Sequence, residues 1–117
     1  MGKNKVLYGL KPDTIAKIYD VFKKYENIEE VILYGSRAKG TFRDGSDIDL
    51  TVKGKNIHVK MLNKIIQDLD DLLLPYTFDL SIYDHIKNPD LLAHIKMVGV
   101  GFYTKNSYID GKPFKES

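Results

Sequence analysis

Residues 47–53 read DIDLTVK, and apolar and polar side chains alternate through them without a break. A period of two is the signature of a strand with one buried face. Ile48, Leu50 and Val52 fall on one face, and Asp47, Asp49, Thr51 and Lys53 on the other. The strand rise puts the two aspartates about 6–7 Å apart at Cα. Residues 76–83, YTFDLSIY, alternate in the same way. Phe78, Leu80 and Ile82 take the core face, and Thr77, Asp79, Ser81 and Tyr83 the opposite one. If the two strands lie over one core, Asp79 joins Asp47 and Asp49 on the open face.

The elements around these strands follow from periodicity and punctuation. Residues 12–25 are expected to form a helix, with Pro12 at its first position, Asp13 at its positive end, and Ile15, Ile18, Phe22 and Tyr25 as its stripe. Residues 28–34, IEEVILY, fit a buried strand that Gly35 ends. A short helix from Ser36 to Lys39 is closed by Gly40. The spacing of Leu62, Ile65, Ile66, Leu69, Leu72 and Leu73 predicts a helix over 57–73, capped by Asn56 and stopped by Pro75. Asn88-Pro89-Asp90 opens another over 89–98, with Gly99 at its end. A last strand covers 100–104, and from Lys105 the chain is polar and broken by Gly111 and Pro113. The expectation is an α/β (α+β) fold, a small mixed sheet flanked by helices, in a single domain over 1–104 with a flexible tail over 105–117.

Bulk composition narrows the function. The 117 residues are 43% hydrophobic and 29% charged, which suits one folded domain. The net charge of +2 is too balanced to point to direct nucleic-acid binding. There is no cysteine, so disulfides and thiolate metal sites are excluded. No signal peptide or membrane-length apolar run is seen, and Val6 stands where a myristoylation motif wants Ser or Thr. The expected location is the cytoplasm, with no membrane partner.

The chemistry lies in residues 34–50, YGSRAKGTFRDGSDIDL. Three carboxylates on one surface raise one another's pKa, and a divalent cation is the natural offset. Hard oxygen ligands suit Mg²⁺, which binds through one or two carboxylates plus substrate phosphates. The Gly35-Ser36 turn sits between a strand and a helix start, where backbone N–H groups face an anion. Gly35 permits close approach, and the Ser36 hydroxyl can donate to a phosphate oxygen. Arg37, Lys39 and Arg43 add positive charge. Singly, each feature has a plainer reading, as a turn, a strand face or solvated charge. Their order and spacing together point to phosphoryl or nucleotidyl transfer. His58, His85 and His94 show no metal spacing and read as core or surface residues. Tyr34 borders the motif.

Gly35-Ser36-Arg37-Ala38-Lys39-Gly40, followed by Ser46-Asp47-Ile48-Asp49-Leu50, resembles the signature of the DNA polymerase β-type nucleotidyltransferase superfamily. The short length and the Arg-Ala-Lys-Gly wording resemble the minimal nucleotidyltransferases, the MntA-like antitoxins of HEPN/MNT toxin–antitoxin modules. The resemblance implies a nucleotidyltransferase fold that binds ATP with two Mg²⁺ ions. It implies that Asp47 and Asp49 ligate metal and that Asp79 ligates the catalytic metal and helps deprotonate the acceptor hydroxyl. Gly35 and Ser36 would hold the phosphates, and Arg37 and Arg43 match basic positions. The implied activity is transfer of AMP to a tyrosine of a HEPN-type toxin. Lys39 departs from the arginine many members carry; both are cations, but lysine lacks the bidentate fork.

Two other readings stay open on the sequence. One is a binding module of the same fold that neutralises a toxin without chemistry. The other is a transferase for a small molecule such as an antibiotic, which the lack of an added acceptor domain disfavours. The acceptor, the base preference and self-association or assembly with a partner are not fixed by the residues.

Overall fold

The computed structural model describes residues 6–105, together with the backbone of Tyr108–Ile109 and Lys112–Pro113. Helix α1 (Pro12–Lys23) leads into strand β1 (Ile28–Tyr34), the short helix α2 (Gly35–Lys39) and strand β2 (Ile48–Gly54). Helix α3 (Val59–Asp70), strand β3 (Phe78–Ile82), a single 3₁₀ turn at 83–85, helix α4 (Pro89–Val98) and strand β4 (Val100–Thr104) follow. Tyr108–Ile109 and Lys112–Pro113 pair as a two-residue antiparallel ladder. The rest of the tail expected to be flexible lies outside the described residues.

The sheet runs β3-β2-β1-β4. Strand β1 is antiparallel to both β2 and β4, while β2 and β3 are parallel. A parallel neighbour needs a crossover, and α3 supplies it. The alternation read from the sequence sets the two faces. Ile48, Leu50 and Val52 are fully buried, as are Val31 and Leu33 from β1, and Leu80 and Ile82 from β3 join them. Helices α1 and α3 cover this face with Ile18, Phe22, Ile65 and Leu69. Burying a large aliphatic or aromatic side chain contributes about 1.5–3 kcal/mol, so this layer carries the fold. Tyr103 adds an aromatic contact to Phe22, with ring centroids 5.7 Å apart. The Tyr25 hydroxyl donates to the Asp68 carboxylate and ties the end of α1 to α3.

Helix α4 and strand β4 match their predicted bounds, and the Asn88 side chain accepts from the N–H groups of Asp90 and Leu91. Helix α3 is shorter than the expected 57–73. His58, not Asn56, caps it: His58 Nδ1 accepts from Met61 N–H at 3.3 Å, while Asn56 sits outside at φ +56. At the other end the helix stops at Asp70, and Leu73 turns to φ +57 with 89% of its surface exposed. The apolar stripe therefore breaks at Leu73, because a left-handed residue cannot continue the helix that would have turned it inward. Helix α1 likewise stops at Lys23, before Tyr25. Among the described residues no helix is long and apolar enough to cross a membrane.

Phe22 is fully buried where α1, the sheet and β4 meet. Phe22→Ala is expected to lower unfolding free energy by about 3–5 kcal/mol, measured as a shift in urea midpoint at unchanged m-value.

Candidate active site

The second face of the sheet carries the polar set. In the β1–β2 register Tyr34 lies opposite Asp49, and in the β2–β3 register Asp49 lies beside Asp79 and Thr51 beside Ser81. Residues side by side in a parallel pair project from the same face, so Asp49 and Asp79 are neighbours. Asp47 stands just before the strand and is exposed. Among the described residues no three His, Asp or Glu side chains stand close enough to hold a metal ion together.

The electrostatic strain is visible at Asp49. Its carboxyl is held above the ordinary aspartate value, first by burial, then by the charge of Asp79, then by that of Asp47; His94 and Arg37 pull it back. Tyr34 is raised too, mainly by burial, with Asp79 and Asp49 adding to it and Ser81 opposing. Ser81 Oγ is buried without a hydrogen-bond partner of good geometry, next to that phenol.

Gly35 follows β1 directly and has φ +75. A Cβ at this position would collide with Asp49 Oδ2. Both the backbone conformation and the carboxylate require glycine. The turn and the Asp49 carboxylate are therefore in contact. Ser36 is half-buried on the first turn of α2, and its carbonyl accepts from Gly40 and Thr41 N–H, which closes the helix. The Gly35 N–H donates to His94 Nε2 at 3.1 Å, and the His94 ring meets Tyr34 edge-on. No spacing in the sequence pointed to His94. Its partner is 59 residues away, and no spacing rule links them.

Arg37 has a different place from the one its charge implied. It is 3% exposed. Its Nε and one terminal nitrogen donate to the Ser46 carbonyl, at 3.2 and 2.9 Å, and the other terminal nitrogen donates to the Tyr8 carbonyl at 2.8 Å. Its guanidinium lies between the Phe42 and Tyr76 rings, 5.1–5.3 Å from each centroid. The fork is filled by main-chain acceptors, and what it fixes is the loop that delivers Asp47 and Asp49. Arg43 is exposed, and its N–H donates to Ser46 Oγ within the same loop. It lines a shallow cleft of about 260 Å³ together with Arg37, Phe42 and Tyr76. Lys39 is exposed.

A four-stranded mixed sheet with a Gly-Ser turn against paired aspartates defines a nucleotidyltransferase fold. The family model described as polymerase beta, nucleotidyltransferase, matches residues 16–108, and the chain belongs to that family. Its fold is similar to that of a toxin–antitoxin crystal structure with AMP-PNP, at TM-score 0.64 and 20% identity over 79% of this chain and 74% of that one. It is also similar to a structure of tri-AMPylated Shewanella oneidensis HEPN toxin in complex with MNT antitoxin, at TM-score 0.58 and 17% identity over 78% and 70%. A mutant of the MntA–HpeT toxin–antitoxin gives TM-score 0.64 and 18% identity over 79% and 74%. Comparison with curated protein sequences finds no match.

Arg37→Met should lower stability by about 2–3 kcal/mol, since three charge-assisted bonds to buried carbonyls are lost. A thermal melt with no added nucleotide measures this; a residue serving phosphate alone would leave it unchanged. The raised carboxyl of Asp49 sets a second expectation. A carboxyl with a raised folded pKa binds more protons in the folded than in the unfolded state, so its contribution falls as pH rises. With a chelator present, Asp49→Asn should be more stable than the parent at neutral pH. The difference should fade as pH drops through the ordinary carboxylate range, which a pH series of denaturation midpoints measures.

Proposed function

We propose that this nucleotidyltransferase transfers AMP from ATP to a hydroxyl of a HEPN-type toxin, the tyrosine hydroxyl being the favoured acceptor, and so acts as an antitoxin. The observation that carries the reading is the contact between Gly35 and Asp49, with Asp79 beside it. A turn of that kind suits an anion, and the carboxylates beside it suit the cation that accompanies a triphosphate. The likeness to toxin–antitoxin structures, one with AMP-PNP and one with an AMPylated HEPN toxin, supports the nucleotide and the partner.

The donor set fits Mg²⁺. The acceptors are hard carboxylate oxygens, the Asp49 carboxyl is raised by burial and then by its neighbours' charge, and this cation takes one or two carboxylates with the remaining positions filled by phosphate and water. Asp47, Asp49 and Asp79 would hold two such ions, which when bound neutralise charge on the triphosphate. The chain's own groups do the rest. Gly35 N–H and Ser36 Oγ donate to phosphate oxygens and fix the triphosphate. Asp79, exposed on the edge strand, takes the proton of the acceptor hydroxyl. The acceptor oxygen forms a bond to the α-phosphorus as the bond from that phosphorus to pyrophosphate breaks. The products are the adenylylated hydroxyl and pyrophosphate. Arg37 acts at one remove, by holding the Ser46 carbonyl and with it the loop before Asp47.

The test is transfer of labelled AMP to a HEPN-type toxin in the presence of Mg²⁺. Asp47→Asn and Asp79→Asn should each lower transfer by at least about a hundredfold while the folded spectrum is kept. Mg²⁺ with ATP should raise the melting temperature of the parent. Neutralisation of the toxin by Asp47→Asn, without label incorporation, would instead make the chain a binding module.

A further inference from the structure

His94 has no part in the chemistry above, yet it sits in the site. Its Nε2 accepts the Gly35 N–H at 3.1 Å. Its ring meets Tyr34 edge-on, with centroids 6.1 Å apart and planes at 80°. It is carried by α4, whose buried side chain is Ile95 and whose last residue leads into Gly99, packed against Ile32 and the Ile95 carbonyl. The helix is thus fixed from Ile95, the residue after His94, to its C-terminal end. The imidazole is held over the turn by packing and not by chance of an exposed rotamer.

The Gly35 N–H is the donor that the triphosphate reading needs. One N–H cannot serve two acceptors at full strength. We propose that His94 is a positioning residue that competes with the triphosphate for the Gly35 N–H and thereby sets nucleotide affinity, an inference that rests on the phosphate role given to Gly35 above. In the nucleotide-free chain the imidazole satisfies a half-buried main-chain donor and keeps the turn formed, which an unpaired donor would not. A phosphate oxygen is charged and makes a hydrogen bond about twice as strong as a neutral acceptor does, so it displaces the imidazole. The exchange costs the nucleotide one neutral hydrogen bond. His94 therefore holds affinity below what the turn alone would give, and its ring moves when nucleotide arrives.

Calorimetric titration with a non-hydrolysable ATP analogue and Mg²⁺ tests this on the parent, His94→Ala and His94→Gln. Removing the competitor should tighten binding by roughly three- to tenfold in His94→Ala, the worth of one ordinary hydrogen bond. Glutamine, whose side-chain carbonyl can accept from the same N–H, should return affinity to within about twofold of the parent. Imidazole ¹⁵N resonances of the parent should shift as the analogue saturates, a readout that needs no variant. Unchanged or weaker binding by His94→Ala, or imidazole resonances that stay put at saturation, overturns the competition while leaving the nucleotide reading intact. No binding of the analogue by any of the three chains overturns the phosphate role of Gly35 and this inference with it.

Discussion

The Asp49 carboxylate lies where a side chain at position 35 would have to be. Much of the site follows from that single contact. It demands glycine after β1, because a Cβ would strike Oδ2 and because φ is positive there. It ties the turn to β2, since the β1–β2 register sets Tyr34 across from Asp49 and so brings the next residue over the carboxylate. It also partly buries Asp49, which is the largest cause of its raised carboxyl. A sheet register thus becomes an electrostatic property: the charge sits in a place where ionisation is costly and a cation would be welcome.

Arg37 makes the other half of that arrangement rigid. A buried guanidinium is costly unless its donors are filled, and here three donations to main-chain carbonyls and two aromatic faces fill its surroundings. Lysine would keep the charge but not the fork that grips Ser46 and Tyr8 together. The loop of residues 40–47 is otherwise short of anchors, with Thr41, Arg43, Asp44, Gly45 and Asp47 exposed. The guanidinium anchors that loop from within.

The sequence made the faces legible and left the partners dark. Alternation in DIDLTVK and YTFDLSIY separated core from site because a strand's period is two and cannot drift. Pro89 and Asn88 placed α4 to the residue because a cap and a first-position proline act locally. Leu73 was misplaced because periodicity shows which residues could share a face, not where the backbone leaves the helix. Arg37 looked like a phosphate ligand because charge is visible in a sequence and burial is not. His94 was unreadable because its contact to Gly35 joins residues that only the α4–α2 packing brings together. The motif spacing pointed to the chemistry, and the tertiary structure shows which cation is buried against main-chain carbonyls and which imidazole meets the Gly35 turn.

The sheet topology also bears on where an acceptor can come from. Helices α1 and α3 cover one face, and α4 lies against the other through Ile95 and His94. Strand β3 is an edge, Asp79 on it is exposed, and Asp49 one strand further in is half-buried. Of the paired carboxylates, Asp79 is therefore the more open and Asp49 the more enclosed. Asp79 is open along the β3 edge, while Asp49 lies inside it, between Tyr34 of β1 and Asp79 in the register and within the field of His94 from α4.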